Sequence, residues 1–241
     1  MCEMLLSYDD AGTNHVMRLP ASDNRLAVYG PTGCGKTVLC ETLLPLYDNV
    51  VKLDFKHHLV AHKGDLVVDN LTKLRKAMEK QDNEPRTQII YRVPRESLLK
   101  ENSASLDAVP ALAMERGHTL LYYDDVVYVA GATDYQQRAP NFFYALTVGR
   151  GKGVGVWCVS QRPALIPISV HTESDLRITF YLRRDADRKR VEEAFGSDEI
   201  PWETMKVNKY SFVMGNDLAM TAPQKITPNY ENARSDKIEV G

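Results

Sequence analysis

The chain has 241 residues, 44% of them hydrophobic and 26% charged, which suffices for one large domain with a buried core. A net charge of −2 excludes a bulk basic coat for nucleic acid, although it leaves room for a local basic surface such as the inner channel of a ring. No apolar run approaches the roughly 18 residues needed to cross a bilayer and no signal peptide is visible, so a soluble protein without a membrane span is expected.

Some 25 residues precede the first expected strand, Leu26-Ala27-Val28-Tyr29. Directly after it stands Gly30-Pro31-Thr32-Gly33-Cys34-Gly35-Lys36-Thr37, the G-x-x-x-x-G-K-[ST] pattern of a P-loop. Its glycines let backbone N–H groups face phosphates, Lys36 reaches the β/γ oxygens, and the Thr37 hydroxyl is a ligand for Mg²⁺. The apolar spacing of residues 37–44 predicts a helix fed by the loop, with its N-terminal dipole toward the anion. Gly30, Pro31, Thr32, Gly33, Cys34, Gly35, Lys36, Thr37 and Val38 are the expected nucleotide contacts, with ATP and Mg²⁺ as cofactors. Cys2, Cys34, Cys40 and Cys158 lack C-x-x-C spacing, and one sits inside the phosphate loop, which points to a reducing compartment.

Further along, short apolar strands alternate with helical stretches, the pattern of a parallel sheet with covering helices. Strands are expected at 50–55, at 88–93 (ended by Pro94), at 120–129, 153–160, 176–182 and 210–214, and helices near 70–80, 104–116, 140–149 and 186–195. No internal repeat or low-complexity linker is visible, so residues 1–222 are expected to form one domain, with its core at about 24–215. Residues 223–241 are expected to be a polar surface tail. The run Thr119-Leu120-Leu121-Tyr122-Tyr123-Asp124-Asp125 is a hydrophobic strand ending in two acids. A P-loop ATPase needs such a pair, one carboxylate for the metal and the next for the attacking water. Asp124 is assigned to the metal together with Thr37, and Asp125 to the water. His57, His58 and His62 lack companion ligands and are expected to be solvated loop histidines. The loop 131–138 is the candidate pore loop, with a plain surface connector as the alternative. The charged run 183–190 is open to three readings: a solvated helix start, a subunit-interface cluster, or the mobile basic lid of a nucleotide kinase.

Residues 149–163 read Gly-Arg-Gly-Lys-Gly-Val-Gly-Val-Trp-Cys-Val-Ser-Gln-Arg-Pro, a basic glycine-rich turn, an apolar strand and then Ser160-Gln161-Arg162-Pro163. Together with Ile178-Thr179-Phe180-Tyr181-Leu182-Arg183-Arg184-Asp185, this closely resembles the HerA/FtsK superfamily of ring-forming DNA-pumping ATPases, from about residue 24 to 215. The resemblance implies a RecA-like α/β P-loop NTPase fold. It makes Gln161 a polar sensor of the γ-phosphate or the water, and Arg150 an arginine finger reaching into a neighbouring subunit's site. Asp54 and Lys56 resemble the superfamily's D-x-K after the second strand. One departure stands out: Asp125 occupies a position where the superfamily usually has Glu.

The chain is short for a chromosome translocase and is similar to the compact genome-packaging ATPases of membrane-containing icosahedral viruses and phages. The resemblance implies a Mg²⁺-dependent ATPase that moves double-stranded DNA, working as a homo-oligomeric, hexameric ring. It further implies docking on a capsid portal or vertex protein, in the cytoplasm of the infected host cell or at the virion vertex. The alternatives are a HerA-like DNA-transfer or filamentous-phage-assembly motor and a nucleotide kinase. A GTPase is disfavoured because no N-K-x-D follows the P-loop, and an ABC-type ATPase because no L-S-G-G-Q is present.

Overall fold

The computed structural model describes residues 3–8, 14–18, 20–98, 104–131, 135–216 and 220–225. An antiparallel pair, β1 (Glu3–Tyr8) and β2 (Asn14–Arg18), comes first. Then follow β3 (Arg25–Tyr29), α1 (Lys36–Leu43), β4 (Val50–Asp54), β5 (Leu66–Val68), α2 (Leu71–Gln81), β6 (Ile89–Arg92), α3 (Ala104–Arg116) and β7 (Leu120–Tyr123). The second half supplies α4 (Val127–Ala130), α5 (Tyr135–Arg138), α6 (Pro140–Val148), β8 (Gly155–Ser160), α7 (Ile168–Thr172) and β9 (Leu176–Phe180). It closes with α8 (Asp185–Phe195), α9 (Trp202–Val207), β10 (Ser211–Gly215) and β11 (Gln224–Lys225).

β3 to β11 form one nine-stranded sheet in the order β11-β10-β9-β3-β8-β7-β4-β6-β5. Neighbours from β9 to β5 run parallel, whereas β10 is antiparallel to β9 and β11 to β10. This is the expected α/β architecture, a mainly parallel sheet flanked by helices.

Parallel strands need crossover connections, so both faces of the sheet are covered and its strands read as unbroken apolar runs. In β3, Leu26 and Val28 pack with Leu39, Cys40 and Leu43 of α1, while Ala27 and Tyr29 join the core on the other face. That second core takes Leu74 from α2, Val109 from α3, Phe142 from α6 and Val191 from α8. β7 and β8 repeat the alternation: Leu120, Tyr122 and Trp157 lie on the α1 side, and Leu121, Tyr123 and Val156 on the other. Each fully buried Val, Leu or Phe among them contributes about 1.5–3 kcal/mol by leaving water. Charged side chains sit among them too, Lys52, Asp54 and Arg177. Lys52 of β4 is fully buried and donates to Glu41 Oε2 of α1 at 2.6 Å, so the pair ties α1 to the sheet and removes the cost of an unpaired buried ammonium.

Three expectations change. The apolar run 120–129 is not one strand: β7 ends at Tyr123, the chain turns at Asp124 and Asp125, and α4 follows. Val126 N donates to Val159 O at 2.9 Å and Ala130 N to Val126 O at 2.8 Å, so Val126, Val129 and Ala130 are buried at helical spacing. An all-apolar run hides that period. The tail expected at 223–241 begins inside the sheet, because β11 pairs with β10; residues 226–241 lie outside the described residues. Of the loop 131–138, residues 132–134 lie outside the described residues, and Tyr135–Arg138 is α5.

Candidate active site

Parallel strands that all point one way present their C-terminal ends on one edge, where ligands of open α/β sheets bind. The segments after β3, β4, β7 and β8 meet there, and they carry the P-loop, Lys56, Asp124 and Gln161. After β3, the loop turns into α1 through Gly35, the helix N-cap, at φ 109 in the left-handed region that only glycine enters freely. At Gly30 a Cβ would stand 2.5 Å from Cys34 Sγ and 2.9 Å from Phe180 Cβ, so the tight curl requires glycine there as well. The N–H groups at the start of α1 have no intrahelical partner and favour an anion.

In front of them opens a cleft of about 570 Å³, lined by Thr32, Gly33, Gly35, Lys36, Thr37 and Val38 on one side. Lys56, His58, Asp124, Gln161 and Tyr210 complete it. The volume falls within the range of small-molecule sites. Gly30, Pro31 and Cys34, expected as nucleotide contacts, are not among the lining residues. Gly30 and Pro31 instead accept from Lys36 Nζ, at 2.7 and 2.9 Å, and steer the ammonium. Burial lowers the Lys36 pKa, opposed by Cys34, Asp124 and Asp125.

Asp124 is buried beside Thr37. Its Oδ1 accepts from Tyr122 Oη at 3.2 Å and from Thr37 Oγ1 at 3.4 Å, and its Oδ2 lies 3.3 Å from His58 Nε2. Burial raises its pKa, and His58 and Lys56 oppose the rise. Two hard oxygens this close fit a single Mg²⁺, whose oxygen ligands stand about 2.0–2.1 Å from the ion. Asp125, expected to orient the water, is buried and is not among the residues that line the cleft; its Oδ2 accepts from Lys56 Nζ, a lining residue, at 2.6 Å. Gln161 accepts at Oε1 from Thr32 Oγ1 at 2.7 Å, which joins the end of β8 to the P-loop.

Arg150 lies elsewhere. It precedes β8, at the N-terminal edge of the sheet, half exposed, and donates through Nη2 to Asp175 at 3.1 Å. Arg25 holds the same carboxylate with its backbone N at 2.8 Å and Nη2 at 2.9 Å. Burial alone would raise the Asp175 pKa, but the Arg25 hydrogen bonds outweigh it and hold the carboxyl below its ordinary value.

Three residues, Lys56, His58 and Tyr210, gain a place that their sequence reading lacked. Asp54, fully buried, accepts from His58 N at 3.2 Å and Leu59 N at 3.0 Å and is paired with Arg92. The loop after β4 therefore curls so that Lys56 and His58 face the cleft. His58 is thus not a merely solvated histidine, and the signal was Asp-x-Lys-x-His directly after a strand. His57 turns away, donating Nε2–H to Val93 O at 2.7 Å. Tyr210 gave no sequence signal for the site. The charged run 183–190 forms the start of α8: Asp187 accepts from Arg162 Nε at 2.9 Å and Ala164 N at 3.0 Å, and Arg188 donates to Leu182 O and Tyr181 Oη, each at 2.7 Å. The hydrogen bonds of Asp187 and Arg188 tie this run into the fold.

No protein-family model and no curated protein sequence matches the chain. Solved structures do. The genome packaging NTPase B204 from Sulfolobus turreted icosahedral virus 2, in complex with AMPPCP, superposes with a TM-score of 0.63 at 18% identity, over 86% of this chain and 100% of B204. The chain has the fold of a P-loop NTPase. VirB4 of Thermoanaerobacter pseudethanolicus matches with a TM-score of 0.66 at 10% identity, over 95% of this chain and 98% of that one. The pCW3 conjugation coupling protein TcpA, with ATPγS, matches with 0.51 at 15% identity, over 95% and 71%. The fold implied by the HerA/FtsK resemblance is therefore the one observed, and no described helix is long and apolar enough to cross a membrane.

Proposed function

We propose that this chain is an ATP-hydrolysing motor that translocates double-stranded DNA, most specifically the genome-packaging ATPase of a virus. The observation that carries the reading is the convergence of Lys36, Thr37, Lys56, Asp124 and Gln161 on one cleft at the start of α1. The likeness of the fold to a nucleotide-bound packaging NTPase supports it.

In this reading the loop amides and Lys36 bind the β- and γ-phosphates, and the helix dipole adds to their attraction. Thr37 and Asp124 would hold Mg²⁺, which when bound would supply charge neutralisation at the phosphate oxygens. Asp125 orients the attacking water through the carboxylate that Lys56 engages, and Gln161, hydrogen-bonded to Thr32, senses the γ-phosphate. Arg150 acts in trans, because its own P-loop lies at the opposite edge of the sheet. The ring has six subunits and docks at a capsid vertex in the infected host cell.

The test is ATP turnover of the purified protein with and without double-stranded DNA, each with Mg²⁺ and with excess EDTA. Stimulation by DNA and loss of turnover in EDTA are expected. Turnover indifferent to DNA sinks the translocase reading, and turnover of an added nucleoside or nucleotide acceptor favours a kinase.

A further inference from the structure

The two ends of the cleft differ in chemistry. At one end stand Lys56, His58, Asp124 and Gln161, from the segments after β4, β7 and β8. At the other stands Tyr210, delivered by the strand order: β10 runs antiparallel to β9, so the residue before Ser211 returns to the edge that bears the P-loop. Between them Val38, on the first turn of α1, is 40% exposed, an apolar side chain presented to the cleft just past Thr37.

Tyr210 also carries a backbone cost. Its φ is 67, a left-handed conformation that a bulky residue rarely adopts and that a glycine would take freely. Strain of this kind persists where function selects the side chain. The Lys209 ammonium lies over the ring, 4.8 Å from its centroid, which helps to fix the ring's orientation.

Resting on the nucleotide-site reading above, we propose that Tyr210 and Val38 form the platform for the nucleobase of the bound nucleotide, Tyr210 by stacking and Val38 by apolar contact. The reactive γ-phosphate must lie against the carboxylates and Gln161, so the base of the same molecule projects toward the opposite end. There the cleft offers an aromatic ring and an aliphatic side chain instead of charge. Every nucleobase has a π-face, so this contact adds affinity with modest discrimination between bases.

The experiment compares Mg²⁺-dependent binding of ATP and of inorganic tripolyphosphate, which has the phosphates but no base. Four proteins are used: wild type, Tyr210→Gly, Tyr210→Phe and Lys36→Ala. Tyr210→Gly is expected to weaken ATP by about tenfold and to leave tripolyphosphate unchanged. Its melting temperature is expected to equal or exceed that of wild type, because glycine relieves the φ. Tyr210→Phe, which keeps the ring, recovers the ATP affinity lost in Tyr210→Gly. Lys36→Ala weakens both ligands. If Tyr210→Gly leaves the ATP-to-tripolyphosphate ratio unchanged while Lys36→Ala weakens both, the platform is wrong and the nucleotide site stands. If Tyr210→Gly lowers the melting temperature and weakens both ligands alike, Tyr210 is structural and the platform is again overturned. If Lys36→Ala affects neither ligand, the nucleotide-site reading falls and takes the platform with it.

Discussion

Asp125 holds two unlike oxygens: Oδ2 is engaged by Lys56, while Oδ1 is buried and has no hydrogen-bond partner among the described residues. Asp124 is placed differently, within reach of the Thr37 hydroxyl. The two acids should therefore fail differently. Asp125→Asn keeps the shape, and it is expected to bind Mg-ATP yet hydrolyse it about 10²- to 10⁴-fold more slowly. Asp124→Asn is expected to lose Mg²⁺-dependent nucleotide binding first, read by titrating nucleotide with and without the metal. Equal and mild effects at both positions would move the base role to another residue.

At the scale of elements, α7 is pinned beneath the P-loop strand by a buried histidine. His171 Nε2–H donates to Pro163 O at 3.2 Å, because a carbonyl can only accept, so neutral Nδ1 accepts from Tyr29 Oη at 2.6 Å. The contact joins the last residue of β3 to the Ser160–Pro163 segment that carries Gln161. Burial, then the cations Arg190 and Arg177, push the His171 pKa from 6.5 down to about 4, against the Pro163 and Ile166 carbonyls. The folded pKa lies below the unfolded one, so the unfolded chain binds the extra proton first. The stability is present above pH 6.5 and is lost as pH falls through about 4. The loss attributable to this one group is about 3 kcal/mol. Urea unfolding of wild type and His171→Gln between pH 7 and pH 4 checks it. Wild type should lose more stability on acidification than the variant, which cannot take the proton, and parallel curves would place the titration elsewhere.

At the scale of the whole molecule, the question is how Arg150 could act. It sits beyond the N-terminal end of β8, and that six-residue strand separates it from the edge that holds the P-loop, on the order of 20 Å. It therefore does not reach the P-loop of its own chain, and under the proposed function a catalytic role requires a neighbouring copy. Removing it should spare the fold, since Asp175 keeps its bonds to Arg25 and an exposed ion pair contributes about 0–1 kcal/mol. Loss of a trans finger typically costs on the order of 10³-fold in rate. Arg150→Ala and Lys36→Ala are each expected to be inactive alone. Mixed rings should regain activity, because one interface then keeps an intact P-loop and an intact finger. Co-assembled rings as inactive as both parents would return Arg150 to a surface ion pair.

The phosphate loop and the parallel architecture were legible in the residues themselves. Gly30, Gly35 and Lys36 act through local backbone geometry and fixed spacing, and a strand covered on both faces must be apolar throughout, so both signals survive in one dimension. The helical turn hidden in 120–129 did not survive, because a uniformly apolar run carries no period and only the Val126–Val159 hydrogen bond turns it from strand to helix. Of Lys56 and His58 only the Asp-x-Lys-x-His pattern was legible and not their place at the cleft, and Tyr210 left no signal. Asp54 curls the loop after β4 so that the first two meet Asp124 and Asp125, and Tyr210 reaches the cleft because β10 returns antiparallel to β9. Contacts between residues some 70 to 170 positions apart depend on strand order and loop curvature, which no local pattern encodes. The sequence by itself determined that a phosphate-binding loop enters a parallel α/β sheet; the tertiary structure decided which side chains stand around it.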